Sequence, residues 1–359
     1  MTIENDRANL SLREPQLNQG NLNERRQTWT VRRAVWMLVR LAIATGLLAY
    51  LTKSHAIDFR ALSKLITAWP ISLAALVLMF LDIAFMAARL SLLFRPPGLR
   101  LSFENSLELN LVSSFFATFL PGAAGGDLAK LYYAAAENKG RRTEIITVAI
   151  FDRVIGLFSL LLLPLFVAPF FPQLIQAVAV LRALLVLSFV LALCVLLAFL
   201  ACLFFPATVV RLWRFSLRFA ALQNLAERAL VAIQSYRRSP STLFAALGLS
   251  LLANLTLIAV TALAILVLHP SSMSMKMCLV IPLGDLANNL PLTPGGLGVG
   301  ESAYNALFHA VGLEGGAEAL LSWRIWRAAV GLIGLALYLR GPGRAVYEGK
   351  TSMENDTTV

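Results

Sequence analysis

The feature that most constrains this chain is a series of apolar runs, each close to the length needed to cross a bilayer. They fall at about 34–52, 68–94, 145–168, 178–204, 242–268 and 319–340. A helix needs roughly 20 consecutive apolar residues to span a hydrocarbon core ~30 Å thick. Only helices and closed barrels satisfy their backbone there, and these runs lack the in–out alternation of barrel strands. The expected fold is therefore an all-α integral membrane protein with about six full transmembrane helices. Composition agrees: 58% of the residues are hydrophobic and 14% charged, where a soluble domain is about a quarter charged.

The net charge of +11 would suggest nucleic acid in a soluble protein. Here the basic residues stand in the tails and between the apolar runs, which is the positive-inside pattern plus attraction to anionic lipid. No nucleic-acid partner is expected. Cys194, Cys202 and Cys278 lie in apolar stretches without metal-ligand spacing, and the three histidines are scattered, so no metal or cofactor is expected. No P-loop, HExxH or GxSxG occurs, and no soluble segment is long enough for a nucleotide-binding domain, which argues against an enzyme. Gly296–Gly300 has the glycine spacing of a dinucleotide fingerprint but lacks the strand–helix unit around it.

Loop charge sets the expected orientation. The uncharged stretch 168–176, the stretch 269–276 and the acidic stretch 312–318 read as extracytoplasmic. Arg95, Arg100, Lys139, Arg141, Arg142 and the segment 211–238 read as cytoplasmic, as do Arg340 and Arg344. Residues 1–33, with six arginines, read as an uncleaved, disordered cytoplasmic tail. A single membrane domain over 34–340 and a short cytoplasmic tail over 341–359 complete the chain. In the linker 207–238, Arg211, Arg214 and Arg218 recur at helical spacing, which fits an amphipathic surface helix or a plain basic linker.

Two further apolar segments, about 105–137 and 277–311, are broken midway by proline and glycine. The first contains Pro121, Gly122, Gly125 and Gly126 followed by Asp127. The second contains Pro294, Gly295, Gly296 and Gly298 followed by Glu301. Each half is too short to span alone, so each segment is expected to be a re-entrant hairpin, the first entering from the cytoplasm and the second from outside. The order span, broken hairpin, span occurs at about 68–168 and again at about 242–340, and Arg153 to Gly156 falls near Arg327 to Gly331. This is the pattern of an inverted-topology repeat, common among alternating-access carriers.

Helices restarting near Gly126 and Gly300 would point their positive ends into the protein, a geometry that suits anions. Asp127 and Glu301 stand at those restarts. They read either as helix caps, worth about 1 kcal/mol each, or as cavity groups that bind a cation, a proton or an amine. Asn110, Ser113 and Ser114 on the first inbound arm, and Asp285, Asn288 and Asn289 on the second, add polar groups. Lys130 follows Asp127 by one turn. Asp152 and Arg153 begin one apolar span; Arg324 and Arg327 begin another, where they either snorkel or serve a site. Asp82, with Arg89 two turns later, is costly in lipid unless paired. Asp82, Asp152 and Asp285 are therefore expected to face the interior.

The PGxxGGD element with Lys130, the stretch Asp152-Arg153-Val154-Ile155-Gly156, and the stretch from Asn289 through Pro291 and Pro294 to Glu301 resemble the lysylphosphatidylglycerol synthase transmembrane region over roughly 35–340. The resemblance implies a flippase-like domain of a bacterial-type plasma (inner) membrane. In two-part members a cytoplasmic aminoacyl-transferase modifies phosphatidylglycerol and the membrane domain moves the product. Here only a short tail follows the last span, so a stand-alone form without the transferase is expected. The leading expectation is a lipid flippase or transporter for a phospholipid or other polar-headed lipid. Lys130, Arg153, Arg324 and Arg327 would face an anionic phosphate; Asp127, Asp152 and Glu301 would balance it or carry coupling protons. The alternatives are an intramembrane enzyme on a lipid-linked sugar or phosphate, and a membrane subunit that docks a lipid-modifying enzyme.

Overall fold

The structure, a computed structural model, describes residues 63–119, 130, 131, 134, 138, 140–216, 227, 229–290 and 292–339. The predicted span at 34–52, both tails and the tip from Pro121 to Asp127 lie outside the described residues. All regular structure among the described residues is helical. The described helices longer than eight residues are α1 (Trp69–Phe94), α2 (Phe103–Phe119), α3 (Arg142–Val167), α4 (Ala179–Phe204), α5 (Pro206–Ser216), α6 (Pro240–Leu268), α7 (Met277–Asn288), α8 (Val299–Ala310) and α9 (Gly316–Leu339).

Of these, α1, α3, α4, α6 and α9 are long and apolar enough to cross a membrane. They fall within a few residues of five of the predicted spans, and the sequence explains where they start and stop. Pro70 and Pro240 sit in the first turns of α1 and α6, where the missing N–H costs no helical hydrogen bond. Pro96 and Pro97 follow the end of α1 and prevent its continuation. Large apolar side chains cover the outside of the bundle: on α4, Val186, Phe189 and Leu197 are each more than half exposed. A protein facing water rarely tolerates so continuous an apolar surface.

The broken segment at 277–311 folds as two helices of 12 residues each. At 1.5 Å per residue each is about 18 Å long, short of a full crossing. They run antiparallel, because Asn288 of α7 lies against Gly300 of α8, and Gly284 of α7 lies against Tyr304 of α8. The break between them depends on glycine. Gly295, Gly296 and Gly298 have φ of 60, 70 and 80°, a region that other residues enter only at a cost of roughly 1–2 kcal/mol. At Gly296 a Cβ would also stand 2.3 Å from the Asn288 carbonyl oxygen.

The loops collect at two ends. At one, Arg141 donates to the carbonyls of Pro97 and Gly98, Asn138 exchanges hydrogen bonds with the backbone of Arg100, and the Tyr236 hydroxyl donates to the Leu93 carbonyl. At the other, the Lys276 ammonium donates to the Val311 carbonyl, the Glu314 N–H donates to the Ser272 hydroxyl, and His269 meets Glu318. Phe171 and Leu174 join the core cluster of Leu268 and Leu313. The chain leaves the first end at α2 and is back at it by Asn138. It leaves the second end at α7 and returns to it through α8.

The two predicted repeat units interlock. Contacts at Asp82–Thr256 and Arg89–Ser250 run in opposite directions along α1 and α6, so these leading spans are antiparallel. The closing span of each unit packs on the broken segment of the other, α9 on α2 and α3 on α7. The first of these contacts is very close: a Cβ at Gly334 would stand 2.1 Å from the Leu111 carbonyl oxygen.

Candidate functional site

Between the two units lies a cavity of about 230 Å³. It extends from Asp285 and Asn289, at the inner end of α7, to Phe94, Ala134 and Ile145 at the basic end of the bundle. A ligand pocket in a membrane bundle needs polar groups on facing helices, and this one draws them from α1, α3, α6 and α7.

Arg89 of α1 makes the strongest polar contact in its wall. Its Nε and Nη2 donate to the two oxygens of Asp152 on α3 at 2.6 and 3.0 Å, and its Nη1 donates to Ser250 Oγ on α6 at 2.9 Å. The bidentate fork is the geometry in which a guanidinium binds a carboxylate best. Gly156 makes room for it, since a Cβ there would stand 3.1 Å from Arg89 Nη1. On the same wall Asn254 Nδ2 donates to Ser159 Oγ at 2.8 Å. Lys130 and Arg153 also line the cavity, Arg153 with an exposed side chain.

Asp285 is held differently. Asn288 Nδ2 donates to its Oδ1 and Asn289 Nδ2 to its Oδ2, each at 2.9 Å. Among the described residues no lysine or arginine forms an ion pair with it.

Behind Asp285 a second network closes the break between α7 and α8. Arg324 of α9 donates to Glu301 at 2.6 Å, to the Gly295 carbonyl at 2.6 Å and to Asn288 Oδ1 at 2.8 Å. Glu301 is fully buried and also accepts from the Gly298 N–H at 2.7 Å. One planar fork thus ties both half-helices and the turn between them. Asn288 connects the two networks, because it donates to Asp285 and accepts from Arg324. Beside them Asp82 accepts from Thr256 and lies 3.7 Å from Arg327, whose guanidinium stacks over Trp323. The Tyr304 hydroxyl is buried here without a hydrogen-bond partner among the described residues.

The structure therefore divides the predicted residues. Lys130, Asp152, Arg153, Asp285 and Asn289 share the cavity. Gly295, Gly296, Gly298, Glu301 and Arg324 form the closed knot, with Pro294 opening its short 3-10 turn. Glu301 is both a cap and an ion-pair partner, and its helix restarts at Val299, one residue before Gly300. Arg324 and Arg327 turn inward onto carboxylates; they do not snorkel. Asp82 and Arg89 are each paired, but not with each other. Asn110 and Ser113 are buried on α2, where Asn110 Nδ2 donates to the Ser106 carbonyl one turn back. Pro121, Gly122, Gly125, Gly126 and Asp127 lie outside the described residues. Ser159, Ser250 and Asn254 escaped the sequence reading, and Arg89 entered it only as a neighbour of Asp82. The available signal was a lone arginine in an apolar run and a Ser–Asn pair four residues apart on α6. Among the described residues no group of three or more His, Cys, Asp or Glu is placed to hold a metal ion.

The model of the family described as the lysylphosphatidylglycerol synthase TM region matches residues 37–337. No curated protein and no solved structure matches the chain.

Proposed function

Because this chain belongs to the family of the lysylphosphatidylglycerol synthase TM region, a membrane family associated with lipids, we propose that it moves a polar-headed lipid between leaflets through the cavity between its two repeat units. The observation that carries this reading is a cavity walled by charged groups inside an apolar bundle. Charged side chains are expensive at membrane depth and are kept there where they line a pathway or pair with one another. Here they do both. The volume suits a small phosphate-bearing headgroup, with Lys130 and Arg153 facing its charge and the acyl chains left in lipid.

In this reading the protein has six spans and two re-entrant hairpins in an inverted-topology repeat. Its basic end faces the cytoplasm of a bacterial-type plasma membrane and its acidic loops face outward. The antiparallel α1 and α6, and the return of each broken segment to its own end, support it. A repeat of this kind gives two nearly equivalent packings, one open to each side, which is what alternating access requires. A lipid-modifying enzyme as partner fits the same reading, since the chain would move what that enzyme makes.

The test is translocation in proteoliposomes. Full-length protein in phosphatidylcholine vesicles with tail-labelled phosphatidylglycerol should speed exchange of label between leaflets over protein-free vesicles, and Arg153→Ala should slow it. Equal exchange with and without protein would count against lipid movement.

A further inference from the structure

Among the described residues, the buried and half-buried charges around the cavity do not match one for one. Arg89 holds Asp152, Arg324 holds Glu301 and Arg327 lies beside Asp82. Among the described residues, Asp285 is the carboxylate of this set whose side-chain partners are amides alone. It is also the acid of this set that, with Asp152, borders the cavity. A carboxylate without a counter-charge inside an apolar bundle either draws in a cation or takes a proton.

The geometry points to Asp285 as a proton-binding site whose proton accompanies an anionic headgroup into the cavity. Two facts favour a proton over a metal cation. A bound metal of the calcium type needs six or more oxygen ligands, and Asp285 is flanked by amide N–H donors that repel such an ion. A proton needs one lone pair, and each Asp285 oxygen keeps at least one after accepting a single amide hydrogen bond.

The coupling follows from the surroundings. Asp285 shares the cavity with Arg89 on α1, Asp152 and Arg153 on α3, the neutral Asn254 on α6, and Lys130. Asp82 on α1, Tyr304 on α8 and Arg324 and Arg327 on α9 interact with it electrostatically, and Glu301 on α8 is reached through Arg324 and Asn288. Arg89, Arg324 and Arg327 are each engaged by an acid other than Asp285. The large change on ligand entry is therefore the charge of the headgroup itself. An anion several ångströms from an ionised Asp285 is repelled by enough to change binding roughly ten- to a hundredfold at an effective dielectric near 20. A proton taken from water on the basic side and placed on an Asp285 oxygen removes that repulsion. By linkage the anion then holds the proton equally, and both leave together. Asp152 and Glu301 are occupied by Arg89 and Arg324, so Asp285 takes the role that sequence alone offered to Asp127, Asp152 and Glu301.

The coupling rests on the lipid-moving reading, but the proton site can be read without it. In infrared difference spectra of the full-length protein between acidic and neutral pH, a protonated-carboxyl band should disappear in Asp285→Asn and persist in Asp285→Glu. A band unchanged in Asp285→Asn would overturn the site. In phosphatidylcholine vesicles carrying labelled phosphatidylglycerol, wild type and Asp285→Glu should exchange lipid up to tenfold faster per unit fall in external pH. Asp285→Asn should be insensitive to pH. Lipid exchange by wild type that ignores pH would overturn the coupling even if the band assignment holds. No exchange by any variant would fault lipid movement, and the infrared band would still decide the proton site.

Discussion

Arg89 and Asp152 meet across α1 and α3 through both arms of the guanidinium, at 2.6 and 3.0 Å, with both side chains about nine-tenths buried. The pair joins the leading span of the first unit to its closing span at the cavity wall. Removing one partner leaves a buried charge, which costs about 3 kcal/mol or more, whereas replacing both by apolar residues is often close to neutral. Arg89→Ala is expected to lower the thermal midpoint in detergent strongly, and Arg89→Met with Asp152→Leu to recover most of the loss. The double variant should still lose lipid movement. A double variant as unstable as the single would contradict the pairing.

Arg324 donates to three acceptors in fixed directions. A lysine ammonium keeps the charge but not the fork. Arg324→Lys should retain the contact to Glu301 and lose the ties to Gly295 or Asn288, at a cost of about 2 kcal/mol. Protease cleavage in the 289–298 turn should become faster. Cleavage at the wild-type rate would show that the fork does not close the break.

The glycines separate two kinds of cost. Gly296 has φ 70° and no room for a Cβ, while Gly140 has φ 81° and nothing within 4 Å of a Cβ. Gly140→Ala should cost ~1 kcal/mol from backbone strain alone. Gly296→Ala adds a clash with the Asn288 carbonyl and should cost more than ~3 kcal/mol, or abolish folding. Equal thermal midpoints for the two variants would contradict the turn geometry.

Tyr304 buries a hydroxyl that has no partner among the described residues, beside the charged network. Leaving such a group unsatisfied costs ~1–3 kcal/mol, so Tyr304→Phe should be neutral or more stable than wild type by about 1 kcal/mol. A thermal midpoint lowered by several degrees would mean that the hydroxyl makes a contact the fold requires.

Much of this was legible in the sequence, because length and apolarity decide which helices cross a membrane. Five spans fell at their expected places. The break between α7 and α8 announced itself through Pro294 and its glycines, and loop charge sorted the connections into the two ends that the structure gathers. The partners of the charges were not legible. Asp82 and Arg89 are two turns apart on one helix, yet each pairs with a residue from another helix, and which one depends on how α1, α3, α6 and α9 pack. Ser250 and Asn254 were hidden for a related reason: small polar residues are common in membrane helices, and only the packing shows which of them face a cavity. The half-helix restart at Glu301 was visible, but its occupation by Arg324 required the fold.

The most direct test of the central claim is to fill the cavity without touching its charges. Ala149 of α3 lines it, and Ala149→Trp places a large apolar ring there. With folding verified by the thermal midpoint, labelled phosphatidylglycerol in proteoliposomes should exchange between leaflets at least tenfold more slowly than with wild type. Exchange at the wild-type rate in a folded Ala149→Trp protein would show that lipid does not pass through this cavity.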